Sequence, residues 1–337
     1  MPLQITVDGR PLNHPFSGIG RYTVNLLAEF ERLGVVPDVR RCNGSKLREL
    51  LTANLAFGFG NKGHIFWSPR HHLPLTQPLN RIPSVVTVHD LVWKHARDTM
   101  PAARALYDRF LMSYSVQIAD AIICVSQCTA SDLITEFPSV EQKVEIIPLA
   151  PTVDPSMAAN EPTNAKRPYA LFVGTNEPRK NLARVTEAFK RHAKKSALQL
   201  IVVSNRGWLE SSFEPHAQIE YQEEISDAQL AGLYRDCRFL IAPSLYEGFG
   251  LQVAEAMAFG KSIITSNQGA LPEVCDGAGI LVNPYSVDEI EAAIDELDSN
   301  EIRRTEFEAI ARQTSANRSW RKVAESTLDV FERVLKS

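Results

Sequence analysis

Between Pro243 and Pro284 the chain reads PSLYEGFGLQVAEAMAFGKSIITSNQGALPEVCDGAGILVNP, which sets Glu247 and Glu255 eight positions apart across a glycine turn. Gly248 and Gly250 allow backbone amides to approach a ligand closely, and a helix starting near Gly250 offers its positive end there. Carboxylates accept hydrogen bonds from sugar hydroxyls, while amides and a helix N-terminus suit phosphate. A nucleotide sugar supplies both kinds of partner. The competing reading makes both acids surface helix residues, because Glu255 shares a face with Gln252 and Phe259 rather than with Leu251, Ala254 and Ala258.

Two cations stand earlier in the same half. Arg179 and Lys180, in Glu177-Pro178-Arg179-Lys180-Asn181, follow a strand pattern and begin a helix pattern. The macrodipole disfavours cations at that terminus unless an anion joins them, so the pair reads either as a phosphate site or as a solvated helix end. In the first half, Ser17-Gly18-Ile19-Gly20-Arg21-Tyr22 precedes a helix and can present amides and Arg21 to a diphosphate; plain loop geometry explains it equally well. His89-Asp90 closes a strand, where a side chain projects toward a ligand; a packed His and a capping Asp are the alternative. Ser126 ends the next strand and either caps the following helix or touches the ligand. His71-His72, after a strand, is the nearest thing to a histidine cluster and reads as lining the acceptor side or as simply exposed; there is no metal-ligand spacing and no Asp-x-Asp pair, so no metal is expected.

The elements that must hold these residues are short apolar runs alternating with helical patterns. The runs are residues 3–8, 64–68, 84–90, 121–126 and 144–148 in the first half, and 169–175, 199–204, 239–244 and 262–266 in the second. Such alternation predicts parallel sheets flanked by helices. Residues 150–168, rich in Pro, Ala and Asn, read as a linker between two doubly wound domains. Ligands of such sheets sit beyond the carboxyl ends of the strands, which focuses attention on those loops. The closing NRSWRKVAESTLDVFERVLKS, with apolar Val323, Leu328, Val330, Phe331 and Leu335, predicts a terminal helix that crosses back to the first domain.

The chain has 337 residues, 44% of them hydrophobic, enough for two domains with separate cores. A formal charge of -4 gives no support to nucleic-acid binding. Residues 1–150 carry 15 Lys+Arg against 13 Asp+Glu and the remainder 21 against 27, so the first half is the better face for an anionic partner. Five scattered cysteines and an opening without a secretory signal fit a reducing cytoplasm. Cys124 and Cys128 read as packing rather than metal ligands. From Trp93 to Phe110 basic residues interleave with Met100, Leu106 and Tyr107, which suits either peripheral contact with an anionic membrane at its inner face or a partly exposed helix.

With SGIGRY, TVHD, VGTNEPRKN, the Glu247 to Glu255 segment and NRSW in that order, the chain resembles the retaining glycosyltransferases of family 4 over nearly its whole length. The resemblance implies an α/β GT-B fold, two facing Rossmann-like parallel-sheet domains. It implies an acceptor-side domain over 1–155 completed by a helix at 319–337, and a nucleotide-sugar-binding domain over 165–318. Gly18 and Gly20, with Arg21, would face the donor diphosphate, His89 the donor sugar or its leaving region, and Lys180 would clamp the phosphates. Glu247 would hold sugar hydroxyls near the amides of Gly248, Phe249, Gly250 and Leu251, and Glu255 the ribose. Ser126, Gly174 and Thr175 join the donor-binding set. Many members carry arginine where this chain has Thr175, and Arg179 is assigned that charge. Glu247, His89, Lys180 and Arg179 are therefore the catalytic candidates.

GIGRY, TVHD and EPRKN further resemble bacterial mannosyl and rhamnosyl transferases of O-antigen or other surface polysaccharides. That likeness alone implies a GDP-linked mannose-type donor and a glycan or lipid-linked acceptor. Other readings of a two-domain architecture are a sugar-nucleotide epimerase, a phosphorylase or a non-catalytic sugar-nucleotide-binding protein. A dehydrogenase would want a third glycine after SGIGRY.

Overall fold

The computed structural model describes residues 3–41, 64–80, 82–158, 167–204 and 215–336. Cys42 lies outside them. The chain divides into two compact units, Met1–Leu149 with Ser319–Ser337, and Ala150–Arg318.

The first unit is built on a parallel sheet in the order β2-β1-β3-β4-β5-β6. Its strands are Gln4–Asp8 (β1), Asp38–Arg40 (β2), His64–Ser68 (β3), Ser84–Val88 (β4), Ala121–Cys124 (β5) and Val144–Ile146 (β6). The three central strands after β1 are apolar and buried along nearly their whole length, as a sheet covered on both faces requires. Strand order reverses between β1 and β3, the switch point of an open α/β sheet. Helix α1, Gly18–Arg32, is capped by Ser17, whose side chain accepts from the Gly20 amide. The chain's final helix, Trp320–Lys336, belongs to this unit: Phe331 packs against Phe30 and Trp67, and Trp320 lies near Tyr22. That is the expected return of the C-terminus to the first domain.

The second unit has its own parallel sheet, ordered β9-β8-β7-β10-β11-β12. The strands are Tyr169–Val173 (β7), Gln199–Val203 (β8), Ile219–Gln222 (β9), Phe239–Ala242 (β10), Ser262–Ser266 (β11) and Gly279–Val282 (β12). Counted from β7, this is the 3-2-1-4-5-6 order of dinucleotide-binding sheets, with its crevice between the carboxyl ends of β7 and β10. Phe172, Phe189, Leu200, Ile241, Ile264 and Ile294 lie in its core.

The stretch read as a linker is engaged at its start. Thr152 bonds Glu255, and Arg235 Nη1 donates to the Ala158 carbonyl at 2.6 Å, so residues 150–158 pack with the second unit. Residues 159–166 lie outside the described set.

Candidate active site

At the second unit's switch point the loop after β7 meets the loop after β10. Lys180 Nζ donates to Glu247 Oε1 at 2.6 Å, and Arg179 Nη1 donates to Glu247 Oε2 and, at 3.1 Å, to the Tyr246 carbonyl. Arg179 Nη2 reaches Glu177 at 3.2 Å. Glu247 is 7% exposed. Burial alone would raise its pKa, but Arg179 and Lys180 outweigh it and hold the carboxyl at about 2, so it is ionised at neutral pH.

Backbone placement makes this junction possible. A Cβ on Gly174 would lie 3.3 Å from Lys180 Cγ, so the glycine at the end of β7 makes room for the lysine stem. Asn181 adopts the left-handed conformation, φ 66°, which asparagine tolerates better than most residues. Its buried amide donates to the carbonyls of Pro243 and Pro284 and so joins the ends of β7, β10 and β12. The Leu245 amide donates to the Arg179 carbonyl at 2.8 Å. Behind Glu247, the Ala270 amide bonds its carbonyl at 2.9 Å, and Gly269 leaves no space for a side chain there.

Gly250 takes φ 99° and opens the helix Leu251–Ala258; a Cβ on it would meet Leu271 at 2.6 Å. Here glycine is required by both angle and space. On that helix Glu255 is 5% exposed, accepting from the Tyr234 hydroxyl at 2.9 Å and from the Thr152 hydroxyl.

The first unit gathers a second set of groups at its own switch point. Asp8, fully buried at the end of β1, accepts from Arg10 Nε and Nη2 at 2.8 and 2.6 Å, and Arg70, just after β3, lies 3.5 Å away. Burial pushes Asp8 up, yet Arg70 and Arg10 together hold it below the usual carboxylate value. His71 and His72 stack edge to face at 4.3 Å, and His72 Nε2 is 3.6 Å from Asp108. His89, at the end of β4, pairs Nε2 with the Pro69 carbonyl at 2.8 Å and lies edge-on to Tyr22 at 4.8 Å. Burial lowers its pKa to about 4, so the ring is neutral at pH 7. A carbonyl only accepts, so Nε2 carries the proton and Nδ1 is left as the acceptor.

Residues 154–314 match the family model "Glycosyl transferases group 1", and residues 63–156 match "Glycosyltransferase Family 4". The chain belongs to these glycosyltransferases. An O-antigen chain mannosyltransferase B of Escherichia coli is 27% identical, the alignment covering 98% of this chain and all of that protein. An O-antigen chain mannosyltransferase of Salmonella typhimurium is 25% identical over 80% of this chain and 78% of its own. Among solved structures, sucrose-phosphate synthase from Thermosynechococcus elongatus superposes with a TM-score of 0.77 at 18% identity, each chain covered to 99%. WaaG, a glycosyltransferase involved in lipopolysaccharide biosynthesis, gives 0.66 at 13%, with 98% of this chain and 99% of its own covered. The fold is that of the GT-B enzymes.

Within the glycosyltransferase, Arg179, Lys180 and Glu247 come together, which the sequence suggested only as separate motifs. The anion that answers the two cations is here Glu247, joined by Glu177, so their place at a helix start does not by itself demand a phosphate. Glu255 is buried rather than a surface helix acid. Gly248, Phe249 and Gly250 are buried beside Glu247, and Leu251 opens the helix. Thr175 is half-buried after Gly174.

In the first unit, Ser126 is fully buried and caps the helix Gln127–Glu136, accepting from the Thr129 amide; capping accounts for it without a ligand. Gly20 is glycine because a Cβ would sit 2.1 Å from the His14 carbonyl oxygen, while Gly18 is exposed at the start of α1. Arg21 is half-buried on the same turn. Trp93, counted among membrane-facing aromatics, is instead a core residue, whereas Leu106, Tyr107 and Phe110 are exposed. Cys124 is buried in β5, where burial pushes its thiol up to about 12. Asp8, Arg10, Arg70, Tyr234, Thr152, Asn181 and Gly269 were not singled out from sequence, although the first three end or follow apolar strands, the position that should have marked them.

Proposed function

We propose that the glycosyltransferase moves a mannose-type hexose from a GDP-linked donor to a glycan or lipid-linked acceptor in bacterial surface-polysaccharide synthesis, with the anomeric configuration retained and without a metal. The observation that carries this reading is the junction of Lys180, Arg179 and Glu247 at the β7/β10 switch point. One of the three Lys180 donors goes to Glu247; the others suit an incoming diphosphate, together with the amides of Gly248 to Leu251 at a helix N-terminus. These groups stabilise charge that develops on the leaving phosphate, an effect worth about 3 kcal/mol per well-placed donor. The names of the O-antigen relatives support mannose and the pathway.

Glu247 suits positioning better than nucleophilic attack. Each of its oxygens is held by a cation, and at a pKa of about 2 it is a weak base. Same-face attack follows, in which the acceptor oxygen bonds the anomeric carbon as the diphosphate leaves, and a leaving phosphate oxygen takes the acceptor's proton. His89, with Nε2–H committed to Pro69, offers Nδ1 as an acceptor and therefore suits a sugar hydroxyl rather than an anionic leaving group. Glu255, held by Tyr234 and Thr152, suits the ribose hydroxyls. Gly174 and Thr175, just after β7, suit the diphosphate's surroundings.

No helix among the described residues is long and apolar enough to cross a membrane. A cytoplasmic protein in peripheral contact with an anionic membrane is the reading favoured by Leu106, Tyr107 and Phe110, exposed on the helix Ala102–Ile118 beside Arg104 and Arg109.

Thermal shift across GDP-mannose, GDP-rhamnose, UDP-glucose and UDP-GlcNAc tests the donor, with the largest rise expected for GDP-mannose. A larger response to a UDP-sugar overturns that assignment. Transfer that persists in EDTA with an α-linked product from an α-linked donor tests metal independence and retention.

A further inference from the structure

Two neighbouring histidines of the first unit carry hydrogen-bonding capacity that nothing described so far uses. Both ring nitrogens of His71 and Nε2 of His72 are shut off from solvent and make no hydrogen bond among the described residues. A neutral imidazole has one N–H and one lone pair, and leaving them bare away from water is costly. The transfer chemistry proposed above calls on neither ring. The rings lie edge to face with centroids 4.3 Å apart, and the carboxylate of Asp108 completes a set whose donor atoms all fall within 4.8 Å of one another.

The surrounding hydrogen bonds fix this set from both sides. His71 and His72 sit on the turn after β3, and Asp108 on the helix Ala102–Ile118. Ser68 Oγ donates to the His72 carbonyl at 3.0 Å, the Leu73 amide donates to Ser115 Oγ at 2.8 Å, and the Tyr114 hydroxyl donates to the Leu75 carbonyl at 2.8 Å, so the turn is pinned to that helix. Of the two Asp108 oxygens, Oδ2 faces Arg104 at 3.6 Å and Oδ1 faces His72 Nε2 at 3.6 Å, too far for a hydrogen bond. Ligand atoms on one tetrahedral zinc, each bonded at about 2.1 Å, stand about 3.4 Å apart, which suits this pair. The adjacent guanidinium of Arg70 has Asp8 at 3.5 Å.

We propose that His71, His72 and Asp108 bind a transition-metal dication of the zinc class. Two imidazoles and one carboxylate are a donor set such an ion accepts, and three protein ligands leave its fourth position to water. Magnesium and calcium prefer oxygen ligands, so the two nitrogens select against them. Spacing along the chain hides the set, because its third member comes from a helix beyond β4. Bound there, the ion gives each ring a partner and ties the turn after β3 to the helix Ala102–Ile118. The proposal goes beyond the transfer reaction, and no step of that reaction is assigned to the ion.

Calorimetric titration of the full chain with zinc chloride, after EDTA treatment and dialysis, tests the site. The proteins to compare are the wild type, His71→Phe, which keeps an aromatic ring without nitrogen, and Asp108→Asn, which keeps the shape of the side chain without its charge. The wild type should bind one equivalent, and each variant should lose at least tenfold in affinity, about 1.4 kcal/mol. If His71→Phe does not fold, Asp108→Asn carries the test. Cobalt(II) in place of zinc should give visible bands of nitrogen and oxygen coordination that are lost in the same variants. No zinc binding by the wild type, equal affinity in the variants, or a thiolate-to-cobalt charge-transfer band, which would put the ion on a cysteine, would each overturn the proposal. None of these outcomes bears on the donor assignment, which GDP-sugar binding tests separately.

Discussion

Lys180 and Glu247, 67 positions apart, meet at 2.6 Å because the first follows β7 and the second follows β10, neighbours in the sheet at its point of reversal. The carboxylate holds Arg179 in the same grip. An acid placed between two cations fixes their geometry before any ligand arrives, which is what the proposed electrostatic role of this junction requires.

Glu247→Gln and Lys180→Ala should each lower the transfer rate by about 100-fold or more, the scale set by removing one well-placed electrostatic contact. Circular dichroism should show both variants folded. Near wild-type turnover in either would remove that residue from the mechanism.

Acid should reveal the same junction. The folded-state pKa of Glu247, about 2, is below the ordinary 4.5, so the unfolded chain takes up the proton first as pH falls. Its stabilising contribution is complete above 4.5 and disappears as pH drops through about 2. Urea unfolding of wild type and Glu247→Gln should therefore differ most at pH 7, by less below pH 4.5, and converge only as pH approaches 2; a constant difference would contradict the shift.

Gly250→Ala should destabilise by about 2 kcal/mol or more, since it combines a left-handed φ with a clash against Leu271. In a double-mutant cycle with Leu271→Ala, the clash should be relieved and the backbone cost should remain. Additive effects would show that space at Leu271 is not limiting.

Tyr234→Phe removes one of the donors to buried Glu255 and should cost about 1 kcal/mol of stability. If Glu255 holds the ribose, the variant's KM for donor should rise while kcat at saturation stays near wild type. A fall in kcat alone would argue for a different role.

Leu106→Ser with Phe110→Ser removes two exposed apolar side chains and leaves Arg104 and Arg109 in place. Flotation with anionic vesicles should fall several-fold while activity on a soluble acceptor is kept. Unchanged flotation would place membrane contact elsewhere.

The interior of each sheet was legible, whereas of the four edge strands only β6 was read. The nine apolar runs all became strands, but Asp38–Arg40, Ile219–Gln222 and Gly279–Val282 went unread. All three are edge strands, short or partly polar, without the continuous burial that leaves an apolar signature. At the site, Glu247, Arg179 and Lys180 were readable because charge beside glycine or a helix start is unusual. Asn181 and Gly269 were not, because their roles depend on a left-handed angle and on a neighbour's backbone that only the folded chain reveals. Ser126 illustrates the converse: a polar residue after a strand satisfied a helix end.

Because Trp320–Lys336 completes the unit that begins with β1, the second unit is an insert in the first one's sequence. On a ribosome, all of Ala150–Arg318 leaves the exit tunnel before Phe331 can reach Phe30 and Trp67. The sheet that contains β1 must therefore wait for Trp320–Lys336, and a message that stops before that helix would release a finished second unit attached to an unfinished first one.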